Sequence, residues 1–276
     1  MLAALAYSPI RILGSLARHR ELTWAMARRE VLEQYAGRVL GALWTIGTPL
    51  LLMALYVFLF AYVFPSRMAD RGGIEGSATT WILAGLVPWL GFADLMNRST
   101  GAIVNHGNLV RQVVFPVETL PAKAVVAALV PQLIMTVLLL IYIALLGGGV
   151  PWTALLLPIF LLIQVTAMLG VALLLSTFTV FIRDLRELVA FFTSAGLFLA
   201  PILYRPEWVE ALSPKFRILL EVNPFTHLVR CHRELICVGA IETPSSWVVL
   251  VVLALLVLSL GSLAFRRCHH SFGDLV

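Results

Sequence analysis

Asp94 is the first residue in this sequence that asks for chemistry. It is the only carboxylate deep in the apolar stretch 79–97, about 22 Å along it at 1.5 Å per residue. Charge in hydrocarbon is costly, so an acid inside a membrane helix is a candidate proton relay. Arg98 follows four residues on, where the two can pair on one helical face as a structural unit. A proton-driven carrier would carry further acids or histidines on its other spanning helices, and none stand there. A second charged pair, Arg183-Asp184, sits in a short turn between apolar runs. The two lysines, Lys123 and Lys215, follow Ala122 and Pro214 rather than the glycine that a phosphate-binding loop needs. Cys231, Cys237 and Cys268 form no CxxC pair, and the sequence has no HExxH, EF-hand or GxSxG pattern. Cys231-His232 and Cys268-His269-His270 are too short and isolated to supply the ligands of a structural metal, so neither metal nor cofactor is expected in this chain.

The elements that must position these residues belong to a bilayer. Of 276 residues, 60% are apolar and 13% charged, against about 45–50% and about 25% in soluble domains. Mean hydropathy is +0.94. An ordinary soluble enzyme, a disordered chain and a disulfide scaffold are thereby excluded. The fold class expected is an all-α integral membrane protein with six transmembrane helices, at about 40–64, 79–97, 120–146, 153–181, 188–204 and 247–265, each near the ~20 residues that span a bilayer. Residues 39–265 form the transmembrane domain, preceded by a cytoplasmic region 1–38 and followed by a tail 266–276. Ser8-Pro9 reads as a helix start. Arginines follow the first apolar run instead of preceding it, so no cleaved signal is expected. The stretch 21–35 reads as an amphipathic interfacial helix, with Trp24, Val31, Leu32 and Tyr35 in one arc; a soluble helix packed on another subunit is the alternative. Between helices five and six, 205–245 carries helical spacing and an Asn223-Pro224 break, and reads as short outer helices resting on the membrane or dipping into it.

Lysine and arginine set the orientation. With both termini inside, thirteen of the twenty basic residues fall on inner segments and seven on outer ones. Tyr56 and Phe60 in helix one and Phe191, Phe198 and Tyr204 in helix five offer faces for stacking sugars along a channel, with lipid-facing packing as the alternative. The inner segment 97–115 is too long for a simple turn. With Asn105, Asn108, Arg111, Gln112 and Phe115 it is the candidate surface for a partner, because a chain without a phosphate loop must borrow its power.

Ordered motifs then resemble one family. Residues 35–44 (YAGRVLGALW) followed by Pro49-Leu50-Leu51 resemble the start of helix one in permeases of ABC-2 type polysaccharide exporters, and Asn108-Leu109-Val110 with Phe115-Pro116 resembles their loop between helices two and three. Arg183-Asp184 matches the charged pair after their fourth helix; Pro201-Ile202-Leu203-Tyr204, Asn223-Pro224-Phe225 and Arg233 are similar to their outer region. The neighbourhood of Arg38 and Pro49 looks closer to O-antigen and teichoic acid permeases than to capsule permeases, while Thr48 stands where many relatives carry Asn.

The resemblance implies a bacterial cytoplasmic-membrane permease that does no chemistry. It would work as two copies over two copies of a separate ATPase that holds ATP and Mg. The loop between helices two and three would dock on that ATPase, and the substrate would be a polysaccharide on undecaprenyl diphosphate. Membrane lipids are the remaining partner, and no nucleic acid is expected. Arg28, Arg29 and Arg38 suit the diphosphate at the inner surface, with a positive-inside anchor as the plainer role. Teichoic acid, capsule, or a small lipid or drug are the alternative cargoes. A membrane enzyme would need clustered acids or histidines at one face, and an ion-coupled carrier would need broken-helix repeats.

Overall fold

The computed structural model describes residues 2–34, 37–63, 78–111, 115–146, 149–204 and 214–275. Every regular element among them is helical. Two helices, α1 (Leu2–Arg18) and α2 (Arg20–Glu33), precede α3 (Trp44–Phe58), which a π turn extends over Leu59–Val63. Then come α4 (Ala78–Gly101), the short α5 (Gly107–Val110), α6 (Thr119–Leu146), α7 (Leu157–Phe181) and α8 (Leu185–Leu199). Two short helices, α9 (Pro214–Val222) and α10 (Pro224–Arg233), lead to α11 (Pro244–Cys268) and a last turn, α12 (Phe272–Leu275).

Among the described residues, four segments are long and apolar enough to cross a bilayer: Thr79–Gly101, Thr119–Leu145, Trp152–Phe181 and Pro244–Ser271. Their order makes a bundle with a hairpin end, where α4 and α7 finish and α6 begins, and an opposite end. The first of these segments is the core helix. It is 78% buried, against 44%, 44% and 33% for the others, because α6, α7, α8 and α10 all pack on it. Small residues let neighbours close on it: a side chain at Gly196 of α8 would collide with the Trp89 ring. The most extensive pairing is α7 with α11. It closes on glycines: a Cβ on Gly170 would fall 2.5 Å from the Val257 carbonyl carbon and 2.7 Å from the Leu258 Cα. Such close approach is how membrane helices associate where apolar burial no longer drives them together.

Proline placement has a matching repair. Pro88 inside α4 has no N–H for the Ala84 carbonyl one turn back. His232 of α10 donates Nδ1–H to that carbonyl at 2.5 Å. At mid-helix depth, the Gln132 and Gln164 amides of α6 and α7 bond each other reciprocally at 2.8 and 3.1 Å, both almost fully buried.

Several sequence expectations are corrected. Helix five, expected over 188–204, runs Leu185–Leu199, about 22 Å and short of a full crossing. Pro201 drives Ala200 into extended backbone at φ −88° and ψ 147°. Helix one is likewise fifteen α-helical residues with a five-residue π turn rather than one run. α1 begins well before Ser8-Pro9 and carries Pro9 inside it, where the ring forgoes the bond to residue 5 and crowds that carbonyl. In α2 the face turned to α6 is that of Thr23 and Ala27. Trp24 and Leu32 of the expected interfacial arc are 60% and 44% exposed and stay off the bundle; Tyr35 lies outside the described residues. Within the expected tail, Phe272 is fully buried, edge-on to Phe265 at 5.3 Å, and α12 packs on α5 and α7.

Candidate functional site

The hairpin end gathers charges from four elements. Asp94 accepts a 2.8 Å bond from Arg98 Nε, the i,i+4 pair on α4. Arg98 reaches further than the sequence could show. Its Nη1 donates to Glu30 Oε1 at 3.1 Å and its Nη2 to Gln34 Oε1 at 3.0 Å, both at the end of α2. The other Glu30 oxygen, Oε2, takes Lys123 Nζ of α6 at 2.9 Å. The same ammonium donates to His106 Nε2 at 2.9 Å, in the turn between α4 and α5. His106 Nε2 therefore accepts, and Nδ1–H donates to the Ala102 carbonyl at 3.0 Å. The Lys123 side chain is 6% exposed. A charge so far from water is stable only while paired and hydrogen-bonded.

Titration follows from these contacts. Burial pushes the Glu30 carboxyl up, but Lys123 and Arg98 more than offset it and hold it below its ordinary value. Burial, then the Lys123 charge, lowers His106 below 6.5 against the bond to Ala102. The neutral imidazole required by the geometry is thus the form the surroundings favour.

A cavity of about 580 Å³ opens beside this junction. Met26, Arg29, Glu30 and Glu33 of α2 line one side, and Asn105, His106 and Leu109 the other. Arg186 of α8 closes it, donating Nη2 to Asn105 Oδ1 at 3.2 Å. A second recess, about 220 Å³, runs from Gln34 and Thr45 past Thr48, Asp94 and Arg98 to Gln132.

The other sequence candidates are spread out. Arg28 and Arg38 are exposed, as is Arg29, which bonds Glu33 at 2.6 Å. Arg38 sits in a turn between Gly37 and Gly41, both at positive φ, and its carbonyl accepts from the Gly41 N–H. Asn108 and Arg111 are exposed, Phe115 is half-buried, and Gln112 lies outside the described residues. Arg183 and Asp184 are exposed in the turn before α8. Tyr56 and Phe60 stack at 6.3 Å on α3 and its π turn. Phe191 and Phe198 are 74% and 66% exposed on one face of α8, and Tyr204 is half-buried beyond its end. The structure does not bring the α3 and α8 aromatics together within the chain: α3 packs on α6 and α4, α8 on α4 and α7.

At the opposite end Arg233 is 2% exposed and fans its guanidinium over three carbonyls: Trp81 at 3.0 Å, Pro201 at 2.7 Å and Ile202 at 2.8 Å, stacked 4.5 Å from the Trp81 ring. Gly85 leaves it room. Asn223 accepts from the Phe225 N–H as the α10 cap and donates to the Leu199 carbonyl at 3.2 Å. The interrupted end of α8 is satisfied by these two side chains. Glu30, His106 and Lys123 were not singled out as site residues by sequence reasoning. A lysine five residues past Glu118 at the start of an apolar helix was the available signal, but nothing local named its partners.

Bundled apolar helices with buried polar contacts define a multi-pass membrane protein. Residues 21–237 match the family described as ABC-2 type transporter, and the chain belongs to it. The membership makes it a transmembrane permease, and no phosphate loop interrupts its 276 residues. It is 26% identical to the O-antigen export system permease protein RfbA of Myxococcus xanthus over 96% of this chain and 99% of the relative. It is 24% identical to a protein of that name from Klebsiella pneumoniae, over 93% and 95%. It is also 25% identical to the polysialic acid transport protein KpsM of Escherichia coli, over 88% and 91%.

Proposed function

We propose that this chain is the membrane permease of an exporter that moves an O-antigen-like polysaccharide, carried on undecaprenyl diphosphate, across the bacterial cytoplasmic membrane. The observation that carries this reading is similarity along nearly the whole chain to permeases named for glycan export. A capsule-type glycan is the second reading, favoured by the likeness to KpsM.

In this reading both termini and the hairpin end are cytoplasmic. α3 with its π turn and α8 with the turns after it complete six crossings. α2 lies at the interface, turning Trp24 and Leu32 to lipid and its Glu30 face to the bundle. Two copies associate through the exposed faces of α3 and α8, so that Tyr56, Phe60, Phe191, Phe198 and Tyr204 line a channel between them. A separate ATPase pair, holding ATP and Mg, docks on Asn105, Asn108, Arg111, Gln112 and Phe115. Arg28, Arg29 and Arg38 meet the carrier diphosphate. ATP closes the ATPase pair, and the permease contributes only a difference in affinity between two states.

Co-purification with candidate ATPases, then ATP turnover with and without lipid-linked glycan, tests this. Complex formation and stimulation are expected. Arg38→Ala abolishes the stimulation if Arg38 holds the headgroup; unchanged stimulation and export in that variant refute its role. Stimulation by many unrelated small molecules and not by glycan refutes the cargo.

A further inference from the structure

We infer that Glu30 is the positioning residue that joins the interfacial helix to the α4–α6 hairpin, so that movement of one is passed to the other. The inference rests on the reading that the hairpin docks an ATPase and that α2 meets the substrate.

α2 touches α6 through the small residues Thr23 and Ala27. Beyond that contact the 580 Å³ cavity, rather than packed side chains, lies between α2 and the turn over residues 105–109. The path across its wall is polar. His106 of the hairpin accepts from Lys123 at 2.9 Å, and Lys123 donates to Glu30 Oε2 at 2.9 Å. Glu30 Oε1 holds Arg98, which is itself fixed by Asp94. One carboxylate thus binds cations from two spanning helices, and one of those cations, Lys123, also holds the imidazole of His106 in the turn between them.

An apolar contact would slide as the hairpin shifts. A charge-assisted pair with a nearly buried ammonium does not, because parting it leaves the charge without a partner. Hairpin displacement therefore either drags α2 or breaks the junction. The coupling is reciprocal: a ligand that moves α2 biases the hairpin by the same free energy. Lipid-linked glycan at α2 would then reach the ATPase through Glu30, with no contact between glycan and hairpin.

The test uses the full chain assembled with its ATPase in lipid. Glu30→Gln keeps shape and removes charge. It is expected to assemble and to hydrolyse ATP without glycan at the unmodified rate, while stimulation by lipid-linked glycan falls by about tenfold, within the range of site-to-site couplings. Glu30→Asp restores part of it. His106→Ala leaves the Glu30 pairs intact and cuts only the hairpin leg, so it also loses stimulation; His106→Gln keeps an acceptor for Lys123 and recovers it. Full stimulation in Glu30→Gln and His106→Ala overturns the inference. So does parallel loss of assembly, thermal stability and glycan-free turnover in both, which marks the network as a fold element only. Absence of glycan stimulation in the unmodified complex refutes the export reading itself, and the inference falls with it.

Discussion

Replacing Gln132 with Met removes one half of the pair that binds α6 to α7 near mid-bilayer. Met matches Gln in length and lacks a branch, so packing changes little. The Gln164 amide then loses bonds of 2.8 and 3.1 Å and keeps only a long 3.4 Å contact to the Pro88 carbonyl. Stranding a buried amide costs about 1–3 kcal/mol, and interhelical bonds in membranes measure about 0.6–2 kcal/mol. The single variant should therefore be destabilised by ~1–3 kcal/mol. The double variant Gln132→Met/Gln164→Met leaves nothing stranded and should lie within ~1 kcal/mol of the unmodified protein. A double-mutant cycle read by unfolding in lipid micelles gives the coupling directly. Gly91 adds an internal control. A Cβ there would fall 2.6 Å from the Gln132 Cδ, so Gly91→Ala alone must displace the amide and should abolish its coupling to Gln164. Additive effects around the cycle, or a double variant worse than either single one, refute the reasoning.

Gly170→Ala sets a methyl against the α11 backbone at Val257–Leu258 and should cost ~1–3 kcal/mol or more in the same unfolding assay, whereas Gly14→Ala, with nothing within 4 Å, should be neutral or slightly stabilising. Arg233→Met frees the Pro201 and Ile202 carbonyls, and hydrogen exchange at residues 199–204 should rise; Arg233→Lys should not repair it, because an ammonium cannot span three acceptors as a planar fork does. Acid should loosen the α2 junction. His106 titrates below 6.5 in the fold, so the unfolded chain takes the proton first; the contribution is whole above 6.5 and is lost as pH falls through the lowered value, with Glu30 following below its own ordinary 4.5. Exchange protection of α2 against pH reads this, and flat protection contradicts it.

The long helices were legible because hydropathy alone marks about 20 consecutive apolar residues, and the Asp94–Arg98 contact was legible because i,i+4 spacing is local. What depends on distant partners was not. Glu30 reads as one acid on an exposed face until α4 and α6 bring Arg98 and Lys123 to it. On α2, helix periodicity finds the apolar arc of Trp24 and Leu32 but not the other contact, where small Thr23 and Ala27 admit α6. Helix five looked full-length because 188–204 is a mostly apolar run despite Thr193, Ser194 and Gly196, yet Pro201 ends the hydrogen-bond ladder early. The motif residues Asn223 and Arg233 were visible as a pattern without a reason. Their reason is the Leu199 carbonyl at the end of α8 and the Pro201 and Ile202 carbonyls just beyond it, left open by that break.

The most direct measurement of the central claim is translocation in sealed proteoliposomes containing this chain, its ATPase and lipid-linked glycan. The export reading predicts glycan crossing only with ATP and both proteins present, and none from the permease alone. Glycan crossing without an ATPase, or an ATP-driven complex that leaves the glycan where it was, contradicts it.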